Sequence, residues 1–344
     1  MKHIVLCLAC TVLAIPAIQS AYAQGSLTPP GPPGPTMITL SQVEPRTPIT
    51  NLPYTITQPG SYYLTTNLTC TSCTNGQNGI TISTGNVSID LNGFSMVGVP
   101  GSKVGIWTGF FYLTNCIVRN GTVTGWGYDG ISIGDYGALV FDCSSSGNQS
   151  NGISLLQGGI VRDCTTAYNG AAGISVGGGG STVSGCTVYY NNGPGISAIY
   201  STINNCTANF NHGAGISVAN LSLVQGCTAD NNQSDGIQVL SDCSVLNNMA
   251  DGNGGTPGLQ GGIHATASGN RIDGNTTFAN AGDGILADSN VTACVVVRNT
   301  SAFNSGFQYR VPGIPGQPPA GANIVGSVVT DATNVNANAW ANFQ

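Results

Sequence analysis

The chain has 344 residues, of which 41% are hydrophobic and 6% charged, with 50 glycines and a formal net charge of −6. A globular domain ordinarily carries roughly 25% charged residues, so Asn, Ser and Thr supply most of the polarity here, and the few charges are scattered. That excludes a basic nucleic-acid-binding patch, and the hydrophobic content argues against disorder.

Residues 1–23 read as an export signal. Lys2 and His3 give a positive start, an apolar stretch runs from Ile4 to Ile18, and Ala21-Tyr22-Ala23 offers a small-x-small cleavage pattern. The mature chain is therefore expected to begin at Gln24 and to be secreted, in the periplasm or outside the cell. No later segment has about 18 consecutive apolar residues, so no membrane insertion is expected. Residues 24–36, which include GSLTPPGPPGPT, form a linker stiffened by proline, with too few collagen-like triplets to build a triple helix alone. Residues 37–78 contain alternating runs such as Tyr54-Thr55-Ile56-Thr57 and Ser61-Tyr62-Tyr63-Leu64, and are expected to be cap strands that shield the end of a repeat array. Cys70 and Cys73 are the two cysteines best placed to bridge.

Residues 79–305 carry the repeat, and 306–344 form a C-terminal cap or tail. Gly-Ile recurs at Gly79, Gly105, Gly130, Gly152, Gly173, Gly195, Gly215, Gly236, Gly262 and Gly284, at intervals of 20 to 26 residues. A second register agrees: Cys143, Cys164, Cys186, Cys206 and Cys227 are 20 to 22 apart, and Asn248, Asn275 and Asn299 continue the column. Five residues beyond each member stands an asparagine: Asn148, Asn169, Asn191, Asn211, Asn232, Asn253, Asn280 and Asn304. Within each repeat, apolar and polar residues alternate at the period of a half-buried strand, as in Ile131-Ser132-Ile133 and Ile174-Ser175-Val176. The residue types just before the cysteine column (Asp142, Asp163, Gly185, Asn205, Gly226, Asn247, Gly274) tolerate a left-handed bend, Arg298 being the exception. So short a repeat, rich in Gly, Asn and β-branched residues, leaves no room for an amphipathic helix. It describes a β-solenoid whose coils lie about 4.8 Å apart.

These repeats resemble those of the pectate-lyase-like right-handed parallel β-helix superfamily. Ile89-Asp90-Leu91-Asn92-Gly93-Phe94 is similar to a first-coil motif of its bacterial members, and Ala339-Trp340-Ala341-Asn342-Phe343 to a tail of exported ones. The resemblance spans roughly residues 40–344 and implies an all-β, right-handed parallel β-helix of about ten coils. It implies no single activity, since the superfamily holds lyases, hydrolases, epimerases, tailspikes and adhesins.

The five-cysteine column reads as a ladder of free buried thiols. Parallel Cβ vectors suit disulfides poorly, and a linear stack does not converge on a metal ion; neither metal nor cofactor is expected. Pectin-hydrolysing β-helices pair aspartates near Gly-His-Gly, and this chain has neither an Asp-Asp pair nor that triplet. Candidate chemistry falls in two places. Trp107, Trp126, Tyr128 and Asp135 form an aromatic-rich region suited to carbohydrate, because rings stack on the C–H faces of sugars; Asp129 and Arg162 beside it are candidate catalytic groups. His264, next to an insertion between Asn253 and Gly262 and flanked by Asp235 and Asp283, is the third candidate, with an ordinary exposed histidine as the alternative. The sequence favours a secreted β-helix that contacts extracellular polysaccharide without catalysis. The alternatives are a polysaccharide lyase or glycoside hydrolase, and a purely structural spacer or adhesin.

Overall fold

The computed structural model describes residues 45–108, 113–134, 136–156, 158–312, 324–326, 328–329 and 341–343. The export signal, the linker, the first residues of the expected cap, Asp135 and most of the tail lie outside the described residues. Among the described residues no helix is long and apolar enough to cross a membrane.

Within Arg46–Gln344 the described elements are all strands, and they stack into a right-handed parallel β-helix. A twelve-stranded sheet takes one strand from each coil, from Tyr54–Ile56 to Tyr309–Arg310, which gives about eleven turns. Its register is the Gly-Ile register of the sequence: Ile131, Ile153, Ile174, Ile196, Ile216, Ile237, Ile263 and Ile285 lie side by side on successive coils. All are fully buried, as period-2 alternation over a half-buried strand requires.

The remaining strands form a twenty-four-stranded sheet, with two short strands per coil in the repeats, such as Thr182–Ser184 and Thr187–Tyr189. A left-handed residue separates each pair. Asp142, Asp163, Gly185, Asn205, Gly226, Asn247, Gly274 and Arg298 all have φ between 50° and 70°, so Arg298 bends like the residues stacked on it. A second left-handed column contains Tyr168, Tyr190 and Phe210, with φ of 53–55°. Residue type gives no warning of it, because bulky side chains seldom adopt this conformation. The three rings stack face to face, with centroids 5.3 and 5.2 Å apart.

The interior is held by columns. Each asparagine of the ladder from Asn148 to Asn280 donates through Nδ2 to Oδ1 of the asparagine on the next coil, ending at Asn304, at 2.8–3.0 Å. The same Oδ1 accepts a backbone N–H of the preceding coil. Burying an amide is costly unless it is bonded, and these are bonded on both sides. The ladder also explains the repeated glycine: a Cβ on Gly215 would come within 2.5 Å of Asn232 Nδ2 and 2.8 Å of the Gly236 carbonyl. The five stacked cysteines are free and buried. Their column passes into a second asparagine ladder, Asn248, Asn275, Asn299 and, from the tail, Asn342.

The region expected as a shielding cap already carries the coil register. Tyr54 pairs with Ile80, Tyr62 with Ile89 and Leu68 with Met96, all in parallel. Cys70 and Cys73 form a disulfide with a Cα–Cα distance of 5.4 Å.

Candidate functional site

The middle residue of each strand in the twelve-stranded sheet points away from the core. Trp107, Ser132, Ser154, Ser175, Ser197, Ser217, Gln238, His264, Leu286 and Arg310 therefore form one outward column. Its two ends differ. On the early coils Trp107 is half-buried, with the Lys103 ammonium 5.6 Å from its ring centre. On the late coils the insertion folds over the column, and His264 and Leu286 are buried.

The first group of sequence candidates does not assemble. Trp126 is fully buried. Its ring fills space beneath Gly79 and Gly105, where an added Cβ would meet it at 2.4 and 2.9 Å. A platform for sugar must be open, so Trp126 is a core residue and not a carbohydrate contact. Asp129 is also buried, and its Oδ1 accepts the Asn151 N–H at 2.9 Å, which ties adjacent coils together. Arg162 lies on the twenty-four-stranded sheet, paired with Asp163 at 2.9 Å and stacked over Phe141 at 4.3 Å. Only Tyr128, 54% exposed, and Trp107 remain accessible here. A groove of about 500 Å³ on these coils is lined by Asn115, Ile117, Ala138, Leu139, Ile160 and glycines, with no titratable side chain among the described residues that line it.

His264 is different. It stands on strand Gly261–Ala265 between two carboxylates on neighbouring coils. Its Nδ1 lies 3.3 Å from Asp235 and its Nε2 3.1 Å from Asp288 Oδ1. The alternative of an exposed histidine is overturned: only 5% of the residue is accessible. Burial disfavours the imidazolium, but the hydrogen bonds and charges of Asp235 and Asp288 outweigh it and raise the His264 pKa above its ordinary value. Asp235, fully covered, also accepts the Gly261 N–H at 2.7 Å, so one carboxylate orients both the ring and the end of the insertion.

Asp283, expected beside His264, serves the next coil instead. It is buried and accepts Gly258 N–H at 2.7 Å, Phe307 N–H at 2.6 Å and Arg310 Nε at 2.7 Å. The Arg310 guanidinium also lies 4.3 Å over the Phe307 ring. Between these groups opens a cleft of about 380 Å³ lined by Gly258, Leu286, Ala287, Asp288, Ser289, Asn290 and Arg310. Asp288 reaches it with a side chain 39% exposed, while that of His264 is 7% exposed. Asp288 therefore meets whatever occupies the cleft, and His264 fixes its direction and stabilises its charge. Asp288 was not among the sequence candidates. The signal was present: His264 pairs with Leu286, and the residue two further along a strand returns to the same face.

Both ring nitrogens of His264 are committed to carboxylates. Among the described residues no group of three or more His, Cys, Asp or Glu is disposed to hold a metal ion.

Residues 104–254 match a family described as the right handed beta helix region. No curated protein matches the chain in sequence. Among solved structures, the A-module of mannuronan C-5 epimerase AlgE6 from Azotobacter vinelandii is 12% identical with a TM-score of 0.60, over 81% of this chain and 88% of that one. The A-module of AlgE4 from the same organism is 15% identical with a TM-score of 0.52, over 76% and 91%. The enzymatically active domain of bacteriophage CBA120 tailspike protein 2 is 13% identical with a TM-score of 0.50, over 78% of this chain and 48% of that one. At these identities the likeness establishes the fold, and it fits the pectate-lyase-like resemblance carried by the repeats.

Proposed function

We propose that this chain is a polysaccharide-directed parallel β-helix, exported from the cell, that holds a glycan strand in the cleft beside His264. The observation that carries this reading is Asp288, which lines that cleft and is bonded to the buried His264, itself bonded to the buried Asp235. Buried charges are expensive, and strand pairing does not require one here, since preceding coils carry Ser132, Ser154, Ser175, Ser197, Ser217 and Gln238 in the same column. Perturbed titratable groups beside a cleft mark functional sites more often than structural ones. The names of two fold neighbours, mannuronan epimerases, supply the class of ligand.

Retention without turnover is the reading favoured here, because the sequence has neither the Asp-Asp pair nor the Gly-His-Gly of pectin-hydrolysing β-helices. A second reading is general acid–base catalysis, favoured by one observation: His264 bonds both carboxylates and leaves Asp288 partly exposed. In that case Asp288 exchanges a proton with the sugar, and His264 positions it. Incubating the full chain with a polysaccharide panel separates the two. Retardation in glycan-containing gels, without reducing ends or unsaturated product and lost in Asp288→Ala, supports binding. Product that disappears in Asp288→Asn and shifts its pH profile in His264→Gln supports catalysis. A chain that neither binds nor cleaves any glycan refutes both.

A further inference from the structure

We infer that the cleft beside His264 is built for an uncharged polysaccharide and discriminates against polyuronates, an inference that rests on the glycan-holding role proposed above. Every formal charge around it already has an opposite partner within the fold. Asp283 takes Arg310 at 2.7 Å together with two backbone N–H groups. Asp235 and Asp288 share His264 at 3.3 and 3.1 Å. Three carboxylates against one guanidinium and one imidazole give −3 + 2 = −1 when His264 is protonated and −2 when it is not.

A uronate carboxylate is held most strongly by a cation, and the one guanidinium lining the cleft is already paired with Asp283. Turning the Arg310 fork toward a substrate would leave Asp283, 0% exposed, as a buried charge without its counterion, a costly state. The other lysine and arginine side chains among the described residues are engaged elsewhere, Arg46 with Asp90 among them. Arg271 and Arg298 grip Asp273 on the twenty-four-stranded sheet, Arg119 pairs with Asp90 and Arg162 with Asp163 on early coils, and Lys103 sits over Trp107. A chain bearing one negative charge per sugar would therefore meet a net negative site. The cleft instead offers neutral partners: the Ser289 hydroxyl, the Asn290 amide and a carboxylate that accepts from hydroxyl groups. Next to Arg310 stands Phe307, 46% exposed, with the guanidinium over its ring at 4.3 Å.

The test is affinity electrophoresis of the full chain in gels containing a neutral galactomannan, a neutral β-glucan, polygalacturonate, alginate or chitosan, each at low and high salt. Retardation by a neutral glycan at both salt levels, with polyuronates at least about tenfold weaker, is the expected result. Asn290→Trp, which fills the cleft, should abolish that retardation. Asp288→Asn, which removes one like charge, should raise uronate affinity at low salt. Preference for a polyuronate or for chitosan overturns the inference and leaves the glycan-holding role standing. No retardation by any glycan refutes that role and the inference with it. Retardation undiminished in Asn290→Trp removes this cleft as the site.

Discussion

Replacing Asn211 by alanine tests the asparagine ladder at its middle. The Asn211 side chain makes four hydrogen bonds: Nδ2 donates to Asn232 Oδ1 and to the Val188 carbonyl, and Oδ1 accepts from the backbone N–H and the Nδ2 of Asn191. Asn191 Nδ2 keeps the carbonyls of Thr166 and Tyr189, and Asn232 Oδ1 keeps the backbone N–H of residue 211. The Asn191 backbone N–H loses its partner at a fully buried residue. A net bond is worth about 1 kcal/mol, and a buried donor left unpaired costs about 1–3 kcal/mol, so the expected loss is about 3–6 kcal/mol. That is a large share of the roughly 5–15 kcal/mol that stabilises a folded domain. Urea unfolding followed by far-ultraviolet circular dichroism measures it, provided the m-value is unchanged. The control is Gln233→Ala at an exposed turn residue, expected within about 0.5 kcal/mol of the parent. A loss below about 1 kcal/mol for Asn211→Ala would show that the ladder is a passive filling of the coil, and the account of its repetition would fail.

Three further outcomes follow from the burial of particular groups. Trp126→Ala should destabilise by about 3–5 kcal/mol, as large-to-small core changes do, while the folded fraction keeps its glycan affinity; unchanged thermal stability with lost binding would restore the residue to the surface. Because the folded-state pKa of His264 is raised, its contribution to stability is complete below its unfolded value of about 6.5 and declines as pH climbs through the folded value. The parent should thus lose stability relative to His264→Gln as pH rises from about 6 to 9, and parallel curves would contradict the ion-paired geometry. Among the described residues the eight cysteines outside the disulfide are buried, and burial raises the Cys243 and Cys294 thiols above their ordinary range. Thiol reagents should therefore label them only after denaturant is added; rapid labelling of native protein would deny the closed interior.

The fold was legible because a coil of nearly constant circumference places like residues on like residues. The Gly-Ile pairs, the cysteines and the asparagines each kept their spacing, and the structure lines each of them up along the axis. The left-handed corner beside the cysteines was readable from Asp, Asn and Gly. Its counterpart at Tyr168, Tyr190 and Phe210 was not, since aromatic residues carry no such conformational signature and mutual stacking holds them there. The site was legible only in part. Periodicity gives the direction of a strand residue but says nothing of what lies over it, so His264 read as exposed although Asp235 and Asp288 enclose its ring. Trp126 misled for the opposite reason. It lies between strands, where no alternation fixes its direction, and the space that admits it is created by Gly79 and Gly105 on other coils.

The asparagine ladder has a sense as well as a position. In every amide-to-amide bond from Asn148 to Asn304 the Nδ2 of the earlier coil donates to the Oδ1 of the later one, and the Nδ2 of Asn304 ends on Gln308 Oε1 at 2.7 Å. Seven amide-to-amide bonds therefore run the same way along the axis and polarise one another. The positive end of this row faces the C-terminal coils, the reverse of the polarity of an α-helix, whose N–H groups point to its N-terminus. The coil thus has an electrical direction set by side chains rather than by the backbone, and the last amide of the row lies in the same coil turn as Phe307 and Arg310.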